Sequence, residues 1–243
     1  MVAQNKFIRE IGYYGTMWGN GSRYATSNYV YTINPNSSGS IRFSRDETKH
    51  LLISLLVLTL SFSFVLSNWT MFNIANETAL FLLIWYMPIA LLAATTAFIL
   101  HELSHKVVAQ RYGMWAEYRY NKQGLLFALF FSFLVGIVWA APGAVYISGY
   151  PTNEQNGKIS IAGPALNIAV AAVFLGLSLV TGSLFIYIVA RVVCFINIFL
   201  AAFNMLPLQM LNLDGHKVLR WNLHVFVLTY VAIIALGILY FTI

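Results

Sequence analysis

The chain has 243 residues, of which 59% are hydrophobic and only 9% charged, and its mean hydropathy is +0.72. Soluble domains carry about a quarter charged residues, so this composition cannot cover a water-facing surface and excludes an ordinary soluble protein. The net charge of +6 suits a face turned toward anionic lipid and gives no reason to expect nucleic acid. The single cysteine, Cys194, excludes an internal disulfide and every Cys-based zinc ribbon.

In chain order, residues 1–48 read as a polar, Gly/Asn/Ser/Tyr-rich tail without an apolar signal region, and 49–243 as a membrane-embedded domain. Residues 51–76 and 78–101 contain no Asp, Glu, Lys or Arg, and none follows Arg220. Runs of about 18 or more such residues predict transmembrane helices. Spans are predicted at 51–67, 79–103, 160–182, 184–205 and 223–243. The fold class expected is an all-α polytopic membrane protein with about five to six transmembrane helices and a re-entrant element near the polar residues 101–105 that end the second span. That element is the apolar stretch 124–148, which runs into Pro142-Gly143, a pair that interrupts a helix.

Charge placement orients the chain. Lys6, Arg9, Arg23, Arg42, Arg45 and Lys49 precede the first span, and Lys106, Arg111, Arg119 and Lys122 follow the second. Lys158 precedes the third span, and Lys217 and Arg220 precede the last. If 124–148 does not cross, an N-terminus in the cytoplasm puts all of these inside, as the positive-inside rule requires. Arg191 alone falls within a span and needs a partner, a backbone carbonyl or a water path. The expected location is the cell membrane, multi-pass, with the active-site side cytoplasmic.

The run His101-Glu102-Leu103-Ser104-His105 is HExxH. Histidines at i and i+4 share one helix face, so both imidazoles can reach one tetrahedral zinc, and the intervening Glu can take a proton from a metal-activated water. A carboxylate and two imidazoles at the end of a charge-free span are costly unless they serve a site. A catalytic zinc commonly takes a third protein ligand. Glu117, Glu154 and Asp214 are the downstream candidates. Glu117 and Glu154 lie in polar segments expected to be solvated. Asp214 follows Pro207 and precedes Gly215, in a turn that can send a carboxylate back toward the helices. Asn167 and Asn197 are expected to hydrogen-bond between helices, as buried amides in membranes do.

Three motifs, in order, carry a resemblance: HExxH ending a span, Ala162-Gly163-Pro164-Ala165-Leu166-Asn167 opening another, and Asn204-x-x-Pro207 with Leu213-Asp214-Gly215 after a third. Over about 100–220 the chain resembles the site-2 protease family, in particular its archaeal polytopic members. The resemblance implies His101, His105 and Asp214 as ligands of one Zn2+ per chain and Glu102 as the catalytic base. It further implies Asn204 beside the substrate carbonyl, and Asn167 is a weaker candidate for substrate contact. Asn204 and Asp214 stand ten residues apart, two more than the family's pattern. The function implied is a zinc metalloendopeptidase that hydrolyses a peptide bond in or near a transmembrane segment of a single-span substrate protein. Two rival readings are a membrane-anchored HExxH protease acting on soluble or misfolded chains, and a non-catalytic zinc-binding protein or transporter, which Arg191 and the broken 141–143 segment keep open.

Overall fold

A computed structural model describes residues 41–138 and 142–243; residues 1–40, and with them most of the predicted tail, lie outside it. Five helical segments are long and apolar enough to cross a membrane: Arg45–Ser67, Glu77–Arg111, Asn153–Val180, Leu184–Asn204 and Leu223–Thr242. The first, α1 (Arg45–Ser67), starts where the Ser44 hydroxyl accepts the Glu47 N–H, and it ends at Asn68 in the left-handed region. The second comprises α2 (Glu77–Ala94), a π turn over Thr95–Ile99, and α3 (Leu100–Arg111). Helices α5 (Asn153–Val180) and α6 (Leu184–Asn204) form a hairpin across Thr181-Gly182-Ser183. After them come the short α7 (Asp214–Trp221) and α8 (Leu223–Thr242).

Small side chains let the helices approach closely, which drives association where lipid is as apolar as leucine. Ala90, Ala93, Ala94 and Ala97 have no exposed surface, and they share one cluster with Leu58 and Phe62 of α1 and Val193 and Ile196 of α6. Helix α8 keeps to the margin of the bundle, with Thr229 and Ile233 as its buried residues.

Helix α5 begins at Asn153, seven residues before the predicted start of its span. Thr152 and Gln155 form a capping box there, and Pro164 stands inside the helix. The cap fixes the start, and the one backbone bond that the proline removes is tolerated within a packed bundle.

The stretch 124–148 is the point where the architecture departs from helix. Its first arm is α4 (Lys122–Val135), packed against α1 and closed by Gly136 at φ 72°. Its second arm is a strand, β2 (Gly143–Ser148), antiparallel to β1 (Trp115–Tyr120), with Trp115 opposite Ser148 and Tyr120 opposite Gly143. The Asn121 N–H donates to the Pro142 carbonyl at 2.8 Å, so the chain leaves and returns at one point. The excursion thus begins and ends at one place, on a two-stranded sheet, and its helix α4, with 14 residues, is shorter than the five spans.

Candidate metal centre

Helix α3 presents His101 and His105 on one face, one turn apart, and both are buried. Asp214 arrives from elsewhere. It is the first residue of α7, and its carboxylate lies against the two histidines of α3. Gly215 makes this possible: a Cβ there would run into the Met205 backbone at the end of α6. The Tyr230 hydroxyl of α8 donates to the Met205 carbonyl at 2.9 Å and holds that end in place. Between Asn204 and Asp214 the chain makes a 3-10 turn, Gln209–Leu211, with Met210 98% exposed.

The three candidate ligand atoms form a near-equilateral triangle. His101 Nε2 lies 3.0 Å from His105 Nε2, and Asp214 Oδ2 lies 3.3 and 3.2 Å from them. A tetrahedral zinc with bonds of about 2.0–2.1 Å separates its ligands by about 3.3–3.4 Å, so this triangle is close to the size of one face of such a site. His105 donates from Nδ1 to the Ile159 carbonyl at 2.7 Å, which leaves its Nε2 lone pair facing the centre. The buried Nδ1 of His101 has no protein partner among the described residues. Burial disfavours the Asp214 carboxylate, yet the two imidazoles outweigh it and hold the carboxyl below the usual carboxylate range. Gly163 supplies the remaining space: a Cβ there would lie 2.6 Å from both histidine Nε2 atoms. Among the described residues, this is the one group of three or more His, Cys, Asp or Glu that could hold a metal ion. The donor set and its spacing fit zinc.

The centre opens onto a cavity of about 230 Å³ walled by Phe62 of α1, Phe98 of the π turn, and Phe199 and Phe203 of α6. Glu102 and Asn204 line the same cavity, and so does Val145 of β2. Asn167 does not line it. Fully buried in α5, it donates from Nδ2 to the Ala97 carbonyl at 3.2 Å, the interhelical role expected of a buried amide. Asn197 likewise bonds Thr96 Oγ1 at 3.1 Å.

Of the other polar groups, Glu154 and Arg191 sit as their sequence context indicates, and Glu117 and Lys106 do not. Glu117, expected to be solvated, is buried and paired with Arg119. Glu154 is exposed and paired with Lys158, so neither carboxylate joins the centre. Arg191 donates to the Tyr240 carbonyl and lies 3.8 Å from that ring's centroid, a tie between α6 and α8. Lys106, directly after His105, points into the bundle and forms a fully buried ion pair with Glu47 of α1. Glu47 also accepts the Tyr118 N–H of β1 at 3.0 Å. The Tyr118 phenol, pushed up by burial and by the nearby Glu102, stays protonated and donates to the Pro142 carbonyl at 3.0 Å. The acidic pair Asp46-Glu47 just before the first apolar run was the available signal for Glu47; the sequence offered none for Tyr118.

The family model for peptidase family M50 matches residues 89–188, which include HExxH and the Gly163-Pro164 segment. A protein of Methanocaldococcus jannaschii named "putative zinc metalloprotease" is 41% identical over 184 residues, which make up 74% of this chain and 87% of the relative. No solved structure matches the chain. A zinc-sized His–His–Asp triangle inside a bundle of apolar helices therefore meets a relative alike over nearly its whole length, and the chain belongs to peptidase family M50, as a multi-pass membrane zinc metalloprotease.

Proposed function

We propose that this metalloprotease cleaves a single-span membrane protein within or beside its transmembrane segment. The observation that carries the proposal is the position of the centre. His101, Glu102 and His105 lie on a helix that continues a span, and the cavity before them is walled by aromatic side chains of three membrane helices. A soluble chain would have to enter that apolar space, whereas a membrane segment is already in it.

His101 and His105 would hold zinc through Nε2 and Asp214 through a carboxylate oxygen. Zinc supplies a Lewis acid that polarises the scissile carbonyl and acidifies a water beside it. Glu102 takes the proton of the attacking water as the new C–O bond forms, and delivers it to the amine nitrogen as the C–N bond breaks. Asn204 turns its side-chain amide toward the substrate carbonyl. A helical substrate hides its carbonyls in its own hydrogen bonds, so the segment must unwind first. Among the described residues β1 pairs with only one edge of β2, and Val145 of β2 lines the cavity with Glu102, so the other edge can offer backbone partners to the unwound stretch. Basic residues gather at the active-site ends of the spans, which supports a cytoplasmic active-site face and cleavage near the inner edge of the bilayer.

The test uses the purified full chain in liposomes with a panel of single-span substrates and an unfolded soluble chain, with Glu102→Gln as the control. Mass spectrometry should place the cut within or next to the apolar segment. Cleavage of the soluble chain alone would replace this reading with that of a membrane-anchored protease for misfolded proteins.

A further inference from the structure

The helix that delivers the two histidines changes register just before them. Over Thr95–Ile99 it makes a π turn, in which the Leu100 N–H reaches back five residues to the Thr95 carbonyl. Such a turn holds one residue more than α-helix would. If it relaxed to α, everything after it would rotate by about 100° and advance about 1.5 Å relative to α2. His101 follows the turn by two residues. A rotation of that size would carry both imidazoles off the face they share with Asp214 and break the triangle of 3.0–3.3 Å.

Isolated π turns are rare because they forgo regular α bonding, so something must hold this one open. Two asparagines from two other helices meet it at consecutive residues. Asn197 of α6 donates Nδ2 to Thr96 Oγ1 at 3.1 Å and to the Val193 carbonyl at 2.9 Å. Thr96 passes the contact on to the Leu92 and Ala93 carbonyls at 3.1 and 3.0 Å. Asn167 of α5 donates Nδ2 to the Ala97 carbonyl at 3.2 Å. Both asparagines have no exposed surface, and in both the amide oxygen has no protein partner among the described residues, so the side-chain bonds they make there are donated. Neither belongs to the metal-ligand group, and neither lines the cavity.

We infer that the π turn Thr95–Ile99 sets the rotational register of the metal-binding helix, and that Asn167 and Asn197 are positioning residues that hold the turn. The inference rests on His101, His105 and Asp214 being the metal ligands, and it predicts a rescue that a general packing role would not give. Removing one residue from a π turn converts it to α-helix while leaving both flanks in place. A chain lacking Thr95, a partly exposed member of the turn, therefore needs no brace.

Four forms of the full chain are compared in detergent: wild type, Asn167→Ala with Asn197→Ala, deletion of Thr95, and the deletion combined with both substitutions. Two quantities are read, zinc affinity by chelator competition and acylation of Lys106, whose amine is fully buried in the native register. The doubly substituted chain should lose about tenfold or more in zinc affinity and acylate at Lys106. The deletion alone should behave as wild type, and the combined form should regain both zinc affinity and Lys106 protection. Wild-type behaviour of the doubly substituted chain, or failure of the deletion to rescue it, overturns the inference. A wild-type chain that takes up no zinc, with Lys106 protection still lost and rescued as described, would refute the metal reading and leave the register device standing.

Discussion

Gly163→Ala is the sharpest test of the metal centre, because it adds a single methyl group. The new Cβ would lie 2.6 Å from Nε2 of both His101 and His105, against about 3.4 Å for an ordinary contact, so about 0.8 Å must be found. If the imidazoles move, they exceed the tolerance of about 0.2 Å on zinc–ligand bonds. If α5 backs away instead, the 2.7 Å bond from His105 Nδ1 to the Ile159 carbonyl stretches toward about 3.5 Å and no longer orients the imidazole. Either route should weaken zinc binding by about 100-fold, or about 3 kcal/mol. Away from the clash, alanine favours a helix over glycine by about 1 kcal/mol, so α5 itself should persist. Zinc stoichiometry and chelator competition read the effect, and far-UV circular dichroism checks the fold. A folded Gly163→Ala chain with wild-type zinc affinity would refute the arrangement of α5 against the triad.

Glu102→Gln should keep zinc but lose proteolysis by about 10²–10⁴-fold, whereas His101→Ala or Asp214→Ala should lose both; metal analysis beside a cleavage assay separates the cases. Glu47→Ala strands the Lys106 ammonium in the bundle and should cost about 3–5 kcal/mol, while Glu47→Leu with Lys106→Met should recover most of it, measured by thermal unfolding in detergent. Because the Asn121–Pro142 bond closes the 122–141 excursion, single cysteines at Gln123 and Asn156 in a Cys194→Ser background should be labelled from one face of the membrane. A cysteine at Asn76 should be labelled from the other. Labelling of Gln123 and Asn156 from opposite faces would make the excursion a true span.

What the sequence made legible was whatever short spacing or long composition encodes. The five spans follow from long apolar runs almost free of charge, and the HExxH face from helical periodicity. Asp214 followed from a turn whose proline and glycine announce a change of direction. The return of 124–148 could be argued from parity, yet its second arm was hidden, because Gly143–Ser148 is apolar and strand and helix differ there only through the partner, Trp115–Tyr120. The π turn left no local mark either. Thr-Thr-Ala-Phe-Ile is unremarkable helix sequence, and what opens it are two amides lying 70 and 101 residues further on. Lys106 misled in the opposite direction, since a lysine at a predicted helix exit reads as solvated until its partner 59 residues earlier is known.

That same partner explains why the centre can be rigid although its parts come from distant segments. Glu47 is one carboxylate with two tasks: one oxygen pairs with Lys106, next in sequence to His105, and the other accepts the Tyr118 N–H of β1. Tyr118 in turn donates to the Pro142 carbonyl at the mouth of β2 and lies 2.9 Å from the Ser54 hydroxyl of α1. The metal-binding helix and the hairpin that faces it are thus referred to a common origin at the start of α1. Breaking the Glu47 contacts should therefore disturb zinc binding and the placement of Val145 beside Glu102 together, whereas loosening the asparagine brace should rotate the histidines and leave the hairpin where it is.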